Sequence, residues 1–433
     1  LKRDAEAAFH DIQPFNTENM CVIAPFRALR PTPEHAEQVA SPPYDVLNVE
    51  EARRMVEGNP MSFLHVTRSE VDLPAGVHVY SQVVYEKAGE NIRSMLRQGV
   101  LMRDEQPCYY LYRLTMAGRS QTGLVCISSV DDYENGVIRK HEFTRPEKEL
   151  DRINHIAVSG AQTGNVFLAY HNVEEMDRLT TEHTARHAPV YDFTAPDGIR
   201  HEVWVVGDPS EVEAITSVFR DKVPCTYIAD GHHRAASAAK VRASEERPSG
   251  TAADFFLTTL FPESELRIMD YNRVVKDLNG RDLDGFLSAL AEDFRVSPSS
   301  APVKPSKPHT FGMYLAGGWY LLEAKPGTWR SDPIGVLDVT VLSERVLDRL
   351  LGIRDQRTDK RIDFVGGIRG LSELERRVDS GEMAVAFSLH PVSVRQLFDI
   401  ADSGEVMPPK STWFEPKLRD GLLTHLIREP ETT

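Results

Sequence analysis

Five consecutive residues, Asp230-Gly231-His232-His233-Arg234, place a carboxylate, a glycine, two imidazoles and a guanidinium between an apolar run and an alanine-rich one. The preceding Cys-Thr-Tyr-Ile suits a strand, and the following Ala-Ala-Ser-Ala-Ala-Lys has very high helix propensity. A strand that passes into a helix through glycine leaves unpaired N–H groups facing outward at the positive end of the helix dipole. That is the outline of an anion site. Gly231 lets the backbone approach a ligand, Arg234 offers a planar fork for two phosphate oxygens, and His232 and His233 add donors. Asp230 is the candidate for holding a metal ion or orienting an acceptor. The plainer alternative makes Asp230 a helix cap with the histidines facing water, but a cap needs neither an arginine nor a pair of histidines.

A second cluster, Ile-Arg-Lys-His-Glu-Phe-Thr-Arg-Pro-Glu-Lys-Glu-Leu-Asp-Arg, gathers Arg139, Lys140, Arg145 and Arg152 around His141 and Glu142. A zinc-peptidase reading of the His141-Glu142 pair requires a histidine at position 145, where the chain has arginine. Two readings stay open: a solvated charged loop, or basic groups such as Arg145 neutralising phosphate while Glu142 or His141 handles a proton or magnesium. Lys410-Ser411-Thr412 has the ending of a phosphate-binding loop without its glycines, which leaves Lys410 either as a phosphate contact or as part of a turn stiffened by Pro408 and Pro409. The chain also lacks a GxSxG elbow and a GxGxxG turn after a strand.

The Asp230–Arg234 turn resembles the phosphate-binding turn of the ParB/sulfiredoxin superfamily, and its free-serine kinases carry a similar Asp-Gly-His-His-Arg. A fuller resemblance is to a bacterial family of uncharacterised proteins, the DUF ten-fifteen family. It rests on Pro-Phe-Arg-Ala-Leu-Arg-Pro from Pro25, Pro-Pro-Tyr-Asp-Val-Leu from Pro42, the Ile138 and Asp230 clusters, Arg-Ile-Asp-Phe-Val-Gly-Gly from Arg361, and Met-Pro-Pro-Lys-Ser-Thr-Trp-Phe-Glu-Pro-Lys-Leu from Met407. These run from about Ile23 to about Leu423 and cover nearly the whole chain. The resemblance implies a ParB/sulfiredoxin-like nucleotide-binding core of α/β (α+β) class with large insertions. It further implies ATP or ADP and Mg2+ as cofactors. In the serine kinases an early acidic residue is the base that deprotonates the acceptor hydroxyl; Glu34 is the matching position, with Asp45 the lesser candidate. The implied activity is phosphate transfer to a small hydroxyl metabolite such as free serine. The alternative from the same superfamily is a nucleotide-responsive binding or regulatory protein without turnover.

Bulk properties narrow the partners. A formal charge of −15 over 433 residues, with no basic stripe, argues against nucleic acid. Hydrophobic residues at 41% and charged residues at 27% describe a folded globular chain. Four scattered cysteines without a CxxC pair fit a reducing cytoplasm, and no run is apolar enough for a membrane span. A nucleotide and a small molecule are the expected partners, and a homodimer is left open.

The elements that must hold these residues follow from periodicity. Strands are expected over Cys21–Pro31 with a proline stop, at Ser62–Arg68, in a hairpin around Ala117–Ser120, at Asn165–Asn172, at His201–Asp208 and over Ala253–Ser264. Helices are expected from Asn48 to Gly58, over Val77–Gln98, and from Ser210 to Asp221. Beyond Thr310 strand and helix alternate, which points to α/β architecture. The expected organisation is an extension over 1–20, a core over 21–296, a Pro/Ser-rich linker over 297–310 and a C-terminal α/β domain over 311–433.

Overall fold

The computed structural model describes residues 20–244 and 252–429; the expected N-terminal extension over 1–20 lies almost entirely outside them. The chain forms two compact units. Residues up to Leu266, together with those from Pro416 onward, make the first, and Arg267–Glu415 make the second.

The first unit is built on a mixed sheet of nine strands. In chain order these are β1 (Ile23–Ala24), β2 (Tyr109–Met116), β3 (Arg119–Ser129), β4 (Ile138–Arg139), β5 (Val166–Tyr170), β6 (Tyr191–Thr194), β7 (Arg200–Val206), β8 (Thr226–Asp230) and β9 (Phe255–Pro262). Their order across the sheet is β4-β8-β5-β9-β3-β2-β7-β6, with β1 paired to the end of β3. The expected hairpin is β2–β3, closed at Ala117-Gly118 with both residues at positive φ, as a two-residue turn between twisted strands requires. Parallel pairing occurs at β4–β8 and β5–β9, and the other pairs are antiparallel.

Five helices of this unit matter below: α1 (Gln82–Arg97), α2 (Pro146–Ser159), α3 (Glu174–Arg186), α4 (Pro209–Lys222) and α5 (His232–Ser244). Pro146 opens α2 and Gly160, in the left-handed conformation, closes it. Alanines along one side of α5 let it pack close to α2 and to the sheet. A buried core of Leu111, Leu124, Val166, Leu168, Ile228 and Phe256 joins the sheet to α5 through Ala235, Ala238 and Ala239.

Several expectations shift. Ser62–Arg68, expected as a strand, contains the short helix Leu64–Thr67, because Ser62 and the buried Phe63 turn the chain by local hydrogen bonds. The helix expected over 77–98 starts only at Gln82, after the turn that joins His78 to Ser81. The segment after Pro416 returns to the first unit: Asp420 bridges Ser41, Thr424 bridges Leu29, and His425–Leu426 pairs antiparallel with Ala161–Gln162.

The second unit has a six-stranded sheet of β10 (Tyr271–Val275), β11 (Phe294–Ser299), β12 (Thr310–Leu315), β13 (Gly318–Ala324), β14 (Ile362–Gly366) and β15 (Val385–Leu389), in the order β11-β13-β12-β15-β10-β14. Every pair is antiparallel, so strand–helix alternation here does not produce the parallel sheet that such alternation suggests. Ser297, Pro298 and Ser299, read as the start of a linker, complete edge strand β11 opposite Trp319–Leu321. An edge strand tolerates proline because one side of its backbone has no partner to lose.

Candidate functional site

Strand β8 ends in a bulge between Ile228 and Asp230 where it pairs with β5. One extra residue re-aims the chain, so Asp230 leaves the sheet at the mouth of α5. Gly231 follows at φ 98°, and an added Cβ would lie 3.3 Å from both the Arg234 guanidinium carbon and the Val166 Cα. Glycine is required here on two counts, backbone angle and space.

Three carboxylates and two cations gather at this turn. The Arg234 guanidinium is buried, 3.5 Å from Asp230 and 3.8 Å from Asp45, and also donates to the Asn165 carbonyl. Lys417, from the returning segment, reaches Asp230 at 3.3 Å. Burial alone would push the Asp230 carboxyl up, but the Lys417 ammonium and the Arg234 guanidinium hold it well below the usual carboxylate range. Arg234 responds in the same sense: burial works against its charge, and Asp45 and Asp230 more than offset that. Asp420 is buried on the same guanidinium's other flank. Its Oδ1 would lie 3.5 Å from a Cβ placed on Gly164, whose other neighbour is Arg234 Cδ at 3.2 Å. Burial pushes Asp420 up to about 7 against the pull of Arg234, and its Oδ2 has no hydrogen-bond partner.

A cleft with about 380 Å³ of empty space, open mouth included, adjoins this cluster. Arg152, Thr163, Gly164 and Arg234 supply its polar wall, with Tyr44, Val166 and Phe256 among its apolar lining. Arg152 comes from α2, paired to Asp151 at 2.8 Å and lying 3.9 Å from the centre of the Tyr44 ring. Tyr44 is buried, which pushes its phenol up to about 12. The cleft therefore combines permanent positive charge with an aromatic face.

The remaining sequence candidates fall in different places. His141 and His232 are buried edge to face, 4.6 Å between ring centres. Burial lowers both, His141 to about 4, so both rings are neutral near pH 7. In this arrangement the two rings pack against each other as neutral imidazoles. Glu142 lies 3.8 Å from His232 Nδ1. His233 accepts a hydrogen bond from the Arg145 backbone N–H at 2.9 Å, which ties the start of α5 to the start of α2. The Arg145 side chain itself is exposed.

Glu34 sits apart on an exposed 3-10 turn, Pro33–His35, where its own backbone N–H and the Thr32 hydroxyl lower its pKa. Among the described residues no hydrogen bond or ion pair ties it to the Asp230 turn. Asp45, the lesser candidate by sequence, is the early acid that the fold brings to Arg234. Lys410 belongs to the second unit, where its ammonium lies 5.8 Å from the centre of the Tyr271 ring. Lys417 and Asp420 escaped the sequence reading. Lys417 stands in the quoted Phe-Glu-Pro-Lys-Leu motif, which was the available signal; for Asp420 there was none.

The sequence matches the model of the family described as "Protein of unknown function (DUF1015)" over residues 23–340, and the chain belongs to that family. No curated protein matches it. Among solved structures it is similar to a point mutant of a free serine kinase in complex with AMP, at 14% identity and a TM-score of 0.35, covering 69% of this chain and 92% of the kinase. It is also similar to a conserved hypothetical protein from Pyrococcus furiosus (16% identity, TM-score 0.34, 70% and 94% covered). A third is C-terminally truncated SbnI from Staphylococcus aureus (11%, 0.32, 71% and 90%). At such scores the activity has to be argued from this chain's own residues. Among the described residues no helix is long and apolar enough to cross a membrane.

Proposed function

We propose that this protein is a nucleotide-dependent phosphotransferase with a ParB/sulfiredoxin-like core, acting on a small hydroxyl metabolite of which free serine is the first to test. The observation that carries the reading is the convergence of an ionised Asp230, Lys417 and Arg234 on the glycine turn beside a cleft walled by Arg152. Phosphoryl transfer asks a protein mainly for positioning and charge stabilisation, and these groups supply both. The first backbone N–H groups of α5 and Arg234 face the phosphates of ATP or ADP, Arg152 extends the positive wall, and Tyr44 offers a stacking face.

The Asp230 carboxylate, held ionised with hard oxygen donors, suits Mg2+, which when bound neutralises charge on the phosphates. Asp45 takes the place of Glu34 as the acid placed to accept the acceptor's hydroxyl proton. The test is phosphate transfer from labelled ATP or ADP to serine and to a pool of small hydroxyl metabolites, alongside equilibrium nucleotide binding. Labelled product lost in Asp45→Asn and Arg234→Ala is the expected result, and the absence of nucleotide binding by the folded wild type would overturn the reading.

One observation favours a second reading, a nucleotide-responsive binding protein without turnover. Part of the Arg234 fork already serves the Asn165 carbonyl, which leaves fewer donors for a transition state. Saturable nucleotide binding with no product across the pool would assign the protein to that class.

A further inference from the structure

Away from the Asp230 turn, the end of α3 and the start of α4, which flank β6 and β7 in sequence, carry a group of residues that the proposed chemistry does not use. His183 and His187 are four residues apart at the C-terminal turn of α3, so their rings project to the same side and stack with 4.5 Å between centres. Glu211 stands in the first turn of α4. One donor atom from each of His183, His187 and Glu211 can be chosen so that all three lie within 4.8 Å of one another.

Each member is held by its element. Asp208 caps α4 by accepting from the N–H of Ser210 at 2.9 Å and of Glu211 at 3.2 Å, which fixes where Glu211 starts. The His187 N–H closes α3 on the His183 carbonyl at 3.0 Å, and the His187 carbonyl accepts from the buried Trp204 indole at 2.9 Å. His183 is buried: its Nδ1–H donates to Glu211 at 2.9 Å, and its Nε2 has no partner. A buried ring nitrogen left with a bare lone pair is the kind of unsatisfied group that an ion or a water normally accounts for. The ring borders a small cavity whose apolar walls include Leu111, Met176, Val206 and Ile215, with Thr180 and Glu211 as its other polar members.

We propose that His183, His187 and Glu211 form a binding site for a divalent transition-metal ion of the zinc class, joining the end of α3 to the start of α4. Two imidazoles and one carboxylate are a borderline donor set that selects zinc, cobalt, nickel or copper over magnesium or calcium, which prefer oxygen alone. Three protein ligands leave a fourth position for water. In a tetrahedral zinc site with bonds of about 2.0–2.1 Å the donors stand roughly 3.3 Å apart. The three donor atoms, within 4.8 Å of one another, draw together to reach that spacing, and His187, with its exposed side chain, has the most room to move. The C-terminal end of α3 carries the negative end of its dipole and favours a cation at that place. The site is independent of nucleotide binding and of the Asp230 cluster.

The test uses the full chain, stripped with a chelator and then titrated with zinc, and separately with cobalt, in excess magnesium to occupy all-oxygen sites. The expected result is uptake of one equivalent, a visible cobalt spectrum of tetrahedral type, and a fluorescence change that is absent in Trp204→Phe. His187→Ala, at an exposed position that keeps the fold by circular dichroism, and Glu211→Gln should each weaken zinc binding at least tenfold. No stoichiometric uptake by the wild type, or uptake equally tight in both variants, overturns the site and assigns His183 and Glu211 to an ordinary hydrogen bond between helices.

Discussion

Of the arginines shielded from solvent, Arg234 in the first unit and Arg273 in the second have opposite surroundings. Arg273 is fully buried and donates to the carbonyls of Tyr271 and Lys410, the latter at 2.9 Å, with its guanidinium 5.2 Å from the centre of the Phe364 ring. It is offered dipoles and rings, and burial pulls its pKa down to about 10. Arg234 meets one carbonyl and the carboxylates of Asp45 and Asp230, with Asp420 close by, and its charge is reinforced. Carbonyls that close a loop are spent on structure. Carboxylates that share a guanidinium with a second cation, Lys417, can exchange partners when an anion or a metal arrives. The contrast separates an arginine that holds the fold from one suited to a ligand.

The largest effect that would sharpen this comparison is on stability. Arg273→Ala should cost about 3–5 kcal/mol, as for emptying a large buried side chain, while nucleotide affinity of the folded protein stays the same. Denaturant titration with a parallel binding assay checks it, and a loss confined to binding would reverse the two roles.

Next comes a pH dependence that belongs to the Arg234 side. Asp420 has a folded pKa raised to about 7, against an unfolded value near ~3.9, so between these the unfolded state gives up its proton and the folded state keeps it. Its contribution therefore destabilises the fold as pH rises through that window, and is absent below ~3.9. By pH 8 the loss approaches about 4 kcal/mol, and Asp420→Asn should flatten that part of the stability–pH curve. Parallel slopes for wild type and variant from pH 4 to pH 8 would remove Asp420 from the account.

A smaller loss is expected from Arg234→Ala, about 1.5–3 kcal/mol in nucleotide binding, or roughly 10- to 150-fold, since one charge-assisted contact disappears. Undiminished affinity in the folded variant would place Arg234 beside Arg273 as a structural group. The least effect belongs to Glu34→Gln, which should change stability by less than about 0.5 kcal/mol and leave phosphate transfer intact. A clear loss of transfer would restore Glu34 over Asp45 as the base.

The parts of the site that were legible from the sequence are those whose signal is local. Thr226–Asp230, Gly231 and the alanine run of α5 lie within one short stretch, and composition announces both the turn and its polarity. The α2 cluster was legible as a concentration of charge. The fate of each charge was not, because packing α2 against α5 buries Arg152 and leaves Arg145 in solvent. His141 and His232 carried a chemical signature, but the burial that holds both rings neutral depends on neighbours that one-dimensional spacing does not give. Asp45 and Lys417 reach Asp230–Arg234 from distant points of the chain, an approach that local sequence does not give. At the fold level, the helix at Leu64–Thr67 defeated a strand expectation because four residues are too few for periodicity to speak.

The returning segment after Pro416 has a consequence for how the protein is made. Asp420, Thr424 and Leu426 plug into positions prepared by Ser41, Leu29 and Ala161, and Lys417 brings the second cation to Asp230. During synthesis the ribosome must thread out the entire Arg267–Glu415 insert before those groups emerge. Until then the Asp230 turn lacks Lys417 and Asp420 alike, so this corner of the first unit is completed only by residues made after the insert.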